Sequence, residues 1–148
     1  MPKVERSADV IWEGNVARGE GRVTAETGTF DALPFSLPSR IGQAAGKTSP
    51  EELLAAAHAG CFAMSLAGEL TQAGTPPERL HVRATVILDE VENAGHRIVA
   101  SELRASARVP GLSREDFDRA VDQADAGCPF SALVKASGEV TVRAELES

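Results

Sequence analysis

Cys61 and Cys128 are the only two thiols in this 148-residue chain, and they stand in unlike settings. Cys61 lies within an alanine-rich run, Pro50-Glu51-Glu52-Leu53-Leu54-Ala55-Ala56-Ala57-His58-Ala59-Gly60-Cys61-Phe62-Ala63-Met64, and Cys128 lies at a break, Ala126-Gly127-Cys128-Pro129-Phe130. One thiol in an apolar wall and one at a joint suggest an attacking sulfur and a second that resolves it. Such a pair suits a peroxide cycle. The Cys61 thiolate attacks a peroxide oxygen and becomes a sulfenic acid, and Cys128 attacks that sulfur to form a disulfide. A dithiol reductant resets the pair by exchange.

At helical spacing the neighbours of Cys61 are Leu54, Ala57, His58 and Met64, a mostly apolar stripe. Burial there raises a thiol above its usual pKa of about 8.5 and leaves it inert, so a passive core cysteine is the plain alternative. Reactivity calls for a cation beside the sulfur. At ~4 Å and an effective dielectric near 20, a positive charge contributes about 4 kcal/mol, or up to ~3 pKa units. A guanidinium keeps its charge when buried and offers hydrogen bonds to an oxygen substrate. Arg40 and Arg18 precede the helix and are the candidates, and Glu51 could fix such an arginine through a bidentate bond. Glu51 could equally be a carboxylate favoured by the helix dipole. Cys128, between a helix-ending Gly127 and a helix-starting Pro129, falls near an N-cap, where free backbone N–H groups favour thiolate. His58 could pair with Cys61; its plainer reading is a polar residue at the edge of the helix face.

The elements that must position these groups are readable from periodicity. Ala8, Val10 and Trp12 alternate as a half-buried strand, Gly14-Asn15 marks a turn, and 16–27 is the return strand. Residues 28–47, rich in Gly, Pro and Ser, predict a loop with one short strand at 30–35. Ser49, Pro50 and Glu52 form a helix start with a capping box, and the helix runs to about Gly74. Its small residues Ala56, Gly60, Ala63 and Ala67 invite close approach of a second helix. Alternation at Leu80–Leu88 and Val99–Val109, with Ser101 the single miss, predicts an antiparallel hairpin turned at Asn93-Ala94-Gly95. Ser113 opens a second helix that Gly127 ends. A short helix follows from Pro129, and Val140–Leu146 forms the last strand. The order β-β-(β)-α-β-β-α-β defines an α+β fold.

The length fits one domain, 1–148, with a real core. A formal charge of −7 argues against nucleic acid or an anionic membrane as partner. The first residues, Met1-Pro2-Lys3-Val4, lack an apolar signal region, and no stretch reads as long and apolar enough to span a bilayer. The expected location is therefore cytoplasmic, where a cysteine pair is better read as a transient catalytic disulfide than as a structural one. No cofactor or metal is called for: three scattered histidines and two distant cysteines lack ligand spacing. Gly46-Lys47-Thr48 imitates a phosphate loop, but Gly42 stands one residue too close.

The segments Trp12-Glu13-Gly14, Gly46 to Met64, Val109-Pro110-Gly111 and Ala126-Gly127-Cys128-Pro129 together resemble the OsmC/Ohr family, the osmotically inducible and organic hydroperoxide resistance proteins. Trp12-Glu13-Gly14 and His58 follow the OsmC branch. The resemblance implies a thiol-dependent peroxidase that prefers organic hydroperoxides. It also implies an intertwined homodimer in which antiparallel sheets wrap the central cysteine-bearing helices. By position it makes Cys61 the peroxidatic thiol, Cys128 the resolving thiol, Glu51 the family glutamate and Arg40 the OsmC-type arginine; an Ohr-type arginine would fall close to Arg18. It further implies a dithiol or lipoyl-type reductant. A competing reading is a small-ligand-binding or stress-associated structural dimer with passive cysteines. A thiol–disulfide oxidoreductase is weaker, because no Cys-x-x-Cys is present.

Overall fold

The computed structural model describes residues 3–43 and 46–148. Residues 1 and 2 of the N-terminal segment, and 44 and 45 of the expected loop, lie outside the described residues. The chain falls into two compact units, one ending at Leu53 and the other Leu54–Ser148.

In the first unit β1 (Ala8–Glu13), β2 (Glu20–Ala25) and β3 (Leu33–Phe35) form an antiparallel meander. The return strand is shorter than the expected 16–27. The Asn15 side chain accepts the Arg18 N–H at 2.8 Å and its carbonyl accepts the Gly19 N–H at 2.7 Å, so the turn widens and pairing begins at Glu13–Glu20. Contrary to the expected half-burial, every residue of β1 is exposed. Trp12, Gly21 and Phe35 lie in one cross-strand row, and the two rings close over the glycine with centroids 5.9 Å apart. A Cβ on Gly21 would overlap the Phe35 ring at 2.5 Å, so only glycine admits this contact.

The segment expected to be loop also holds a short helix, α1 (Leu37–Ile41). Ser36 caps it: Ser36 Oγ accepts the Ser39 N–H, Ser39 Oγ accepts the Ser36 N–H, and Pro38 sits in the first turn. The long helix α2 (Pro50–Gln72) follows. Its expected capping box is half formed. Ser49 Oγ accepts the Glu52 N–H, but the Glu52 carboxylate takes the Thr48 hydroxyl at 2.7 Å instead of reaching back to the cap.

The second unit holds most of α2, then β4 (Arg79–Val91), β5 (Gly95–Arg108), α3 (Arg114–Ala126), α4 (Pro129–Lys135) and β6 (Glu139–Leu146). β4 and β5 form the expected hairpin, with Asn93 and Gly95 at positive φ in its turn. β6 departs from the expected all-antiparallel pairing: it runs parallel to β5. A parallel return needs a long crossover, which α3 and α4 supply. The core joins Phe62, Leu66 and Leu70 of α2 to Leu103, Ala105 and Ala107 of β5 and Phe117 and Val121 of α3. Each large side chain buried there stabilises the fold by about 1.5–3 kcal/mol.

α2 has two stripes at four-residue spacing. His58, Phe62, Leu66 and Leu70 are buried, whereas Ala56, Gly60, Met64 and Gly68 are exposed. Of the expected small-residue stripe, Ala56 and Gly60 are exposed and Ala63 and Ala67 half-buried, and nothing among the described residues lies within 4 Å of a Cβ placed on Gly60. Met64, expected beside Cys61 in an apolar wall, is 79% exposed. The expectation that no stretch could span a bilayer also needs correction. By length and composition α2 qualifies. Core helices pass the same test, and α2 lends its buried stripe to a core.

Candidate functional site

The two thiols meet. Cys61 lies on α2 and Cys128 is the N-cap of α4, and their sulfurs are 3.2 Å apart across 67 positions of sequence. Both thiols are free. Gly127 ends α3 and Pro129 begins α4, so the chain bends at Cys128 and turns its side chain inward; Cys128 is 1% exposed. Backbone donors of α4's first turn serve both sulfurs. The Ser131 N–H donates to Cys128 Sγ at 3.5 Å, and the Phe130 backbone N–H favours the ionised form of Cys61.

The Cys61 thiol is held above its ordinary value, first by burial and then by the adjoining Cys128 thiol; the Phe130 N–H works in the other direction without cancelling them. Two touching sulfurs share a proton more readily than both lose one. Thiolate formation at Cys61 therefore calls for positive charge from elsewhere.

In the first unit, Arg40 on α1 and Glu51 in the first turn of α2 form a two-pronged ion pair. Nε donates to Oε1 at 2.8 Å and Nη2 donates to Oε2 at 2.8 Å. The carboxylate raises the Arg40 pKa further, so this guanidinium is permanently charged and directionally fixed. Arg40 also edges an apolar cleft of about 210 Å³ formed by Trp12, Val16, Phe35, Leu37 and Pro50. Arg18 is exposed on the β1–β2 turn.

His58 is not at the edge of the helix face, as its plainer reading held: it is fully buried. Nδ1 bonds Ser101 Oγ at 2.6 Å and Nε2 bonds Ser131 Oγ at 2.8 Å. The two serines explain how a polar ring tolerates the core. Ser101 was visible in sequence as the one break in β5's alternation; Ser131 carried no signal. Removing the ring would strand two buried hydroxyls, each costing about 1–3 kcal/mol.

Burial lowers the His58 pKa; Asp125 opposes this weakly and Lys135 reinforces it. The folded value thus lies below the unfolded value of about 6.5. Between the two, the unfolded chain binds the extra proton, so stability is whole above the unfolded pKa and is lost as pH falls through the folded one. We expect the urea midpoint to drop from about pH 7 to about pH 5, with a shallower drop in His58→Gln. Equal slopes in the two proteins would assign the pH dependence to other groups.

Comparison with known proteins follows the same lines. The sequence pattern of the OsmC-like protein family matches residues 42–143, and the chain belongs to that family. It is 38% identical over 145 residues to the peroxiredoxin OsmC of Escherichia coli, covering 98% of this chain and 99% of that one. It is 31% identical over 125 residues to an organic hydroperoxide resistance protein of Xanthomonas axonopodis, covering 83% and 84%. Among solved structures, the organic hydroperoxide resistance protein OhrB of Bacillus subtilis superposes with a TM-score of 0.67 at 27% identity, covering 95% of this chain and 98% of that one. An OsmC protein from Legionella pneumophila gives 0.73 at 22% identity, covering 97% and 99%, and shares the fold.

Proposed function

We propose that the protein is a thiol-dependent peroxidase that reduces organic hydroperoxides to alcohols and, more weakly, hydrogen peroxide to water. The observation that carries this reading is the 3.2 Å approach of two free sulfurs from distant parts of the sequence. The printed names of the relatives, a peroxiredoxin and organic hydroperoxide resistance proteins, point the same way. In the proposed cycle the Cys61 thiolate attacks the terminal peroxide oxygen and the O–O bond breaks. The departing alkoxide takes a proton and leaves as alcohol, and Cys61 becomes a sulfenic acid. Cys128 then attacks the Cys61 sulfur; its proton and the sulfenic oxygen leave in water, and a disulfide remains. A disulfide bond is ~2.0 Å long, so the sulfurs need close by only about 1 Å. A dithiol or lipoyl-type reductant in the cytoplasm takes up the oxidising equivalents and restores both thiols.

Arg40 is the proposed cation and Glu51 the group that aims it. In this reading the chain is a single functional domain. The aromatic cleft beside Arg40 favours substrates with an apolar tail. We also infer a homodimer. The exposed stripe Ala56–Gly60–Met64–Gly68 and the exposed Val10 and Ile11 are apolar surface that a second copy would cover. A monomer in sedimentation at micromolar concentration would remove that inference.

The test is peroxide consumption by the purified chain with a dithiol present. Cumene hydroperoxide should be consumed faster than hydrogen peroxide. No consumption of either, with both thiols intact afterwards, would favour the passive-cysteine reading. In Cys128→Ser the first oxidation should proceed and then stall, leaving a sulfenic acid that dimedone traps; steady turnover at the normal rate would remove Cys128 from the cycle.

A further inference from the structure

Three cross-links join α2 to the segment running from α3 into α4. His58 Nε2 meets Ser131 Oγ at 2.8 Å, Cys61 Sγ meets Cys128 Sγ at 3.2 Å, and Ser65 Oγ donates to the Ala124 carbonyl at 2.8 Å. Steps of three and four residues along α2 are mirrored by steps of three and four in the opposite direction. The sulfur contact is therefore the middle rung of three, with a polar rung one helical turn to each side. Only the middle rung contains the sulfurs that oxidation would join.

His58 holds the rung beside α4's first turn and is itself fixed. Both ring nitrogens are engaged, one by Ser101 on β5, the central strand of its sheet, and one by Ser131. Ser131 in turn donates its N–H to Cys128 Sγ. Sulfur is a weak acceptor, so the thiol alone is a poor lock for the turn that presents it. That lock also changes character when Cys128 becomes half of a disulfide. The His58–Ser131 bond involves no sulfur.

The geometry points to His58 as a positioning residue for the resolving step: through Ser131 it holds α4's first turn so that Cys128 stays within bonding range of Cys61 throughout the cycle. This deepens the peroxidase reading and rests on it, but the positioning can be measured without peroxide. The probe is dithionitrobenzoate, an aromatic disulfide. Cys61 thiolate attacks it, expels one thionitrobenzoate and becomes a mixed disulfide. Cys128, losing its proton to solvent, then attacks the Cys61 sulfur and expels the second thionitrobenzoate, leaving the Cys61–Cys128 disulfide. The two releases time the two steps separately.

The comparison uses the fully reduced full chain as wild type, His58→Leu, His58→Gln and Ser131→Ala, with a parallel cumene hydroperoxide arm and dimedone trapping. We expect the first release to stay within about twofold in all variants. The second should slow by about tenfold or more in His58→Leu and Ser131→Ala, since small misplacements of reacting groups cost rates of this size. His58→Gln, whose amide can still reach Ser131, should recover part of the loss. Ser131→Ala leaves the buried ring in place, so it reports even where His58→Leu folds poorly. An unchanged second release in His58→Leu or Ser131→Ala overturns the proposal. So does equal slowing of both releases with no recovery in His58→Gln, the pattern of a purely structural histidine. If wild type ignores peroxide yet shows two releases and the variants delay only the second, the peroxidase reading fails and the positioning role stands.

Discussion

Cys61→Ser should lose essentially all peroxide turnover, with kcat/KM falling by at least on the order of 10³-fold. A serine hydroxyl at neutral pH offers almost no alkoxide, and its oxygen has no counterpart of the sulfenic state, so neither attack nor storage of the oxidising equivalent survives. The fold should tolerate the change. Cys61 is only partly buried, serine is close to it in shape, and the core stripe on α2 is carried by Phe62, Leu66 and Leu70. A circular dichroism spectrum and urea midpoint near wild type, together with absent activity, is the expected pair of results. Retained turnover would move the attacking role to Cys128.

Arg40→Ala should give the second largest effect. Burial and Cys128 already push the Cys61 thiol up, so thiolate at neutral pH has to come from added positive charge. A guanidinium at ~4 Å and an effective dielectric near 20 contributes about 4 kcal/mol, or ~3 pKa units. Its loss should cut the rate at neutral pH by up to ~10³-fold, and the loss should shrink as pH rises and the bare thiol ionises. Arg40→Lys should recover little, because an ammonium cannot make the two-pronged contact that Glu51 makes with Nε and Nη2. The pH–rate profile of single-turnover oxidation is the measurement. An unshifted profile in Arg40→Ala, with a shifted one in Arg18→Ala, would transfer the role to Arg18.

Much of the fold was legible because its signals are local. Period-two alternation marked β4, β5 and β6; Ser113 and Gly127 bracketed α3; and Pro129 announced α4 with Cys128 at its cap. What escaped depends on partners far away in sequence. The direction of β6 is set by the crossover and not by its own pattern, which would suit either neighbour. α1 was lost in a segment rich in turn residues, although Ser36 and Pro38 were the cap and first-turn residues of a helix. β1 alternates like a half-buried strand yet has nothing over it in the described chain.

The candidate site divides in the same way. Both thiols could be named from residue type and setting, because cysteine at a helix break is uncommon enough to notice. The residues alone left Arg40 and Arg18 open as the cation and gave Glu51 the ordinary reading of a carboxylate favoured by the helix dipole; the family resemblance singled out Arg40 and Glu51. His58 was visible only as a neighbour of Cys61. Its burial depends on Ser101 and Ser131, which lie 43 and 73 positions away. Ser101 left a trace as a polar residue on the apolar face of β5. Ser131 left none, since a serine in the first turn of a short helix is ordinary.

In the proposed cycle two sulfurs of one chain take up a peroxide's oxidising equivalent together. Intact mass and thiol count after one equivalent of cumene hydroperoxide test it most directly, with no reductant present. A chain lighter by two hydrogens, with no titratable thiol, is expected, and digestion should give a disulfide-linked peptide pair containing Cys61 and Cys128. A chain of unchanged mass with both thiols titratable would contradict it, as would one heavier by oxygen with Cys128 still free.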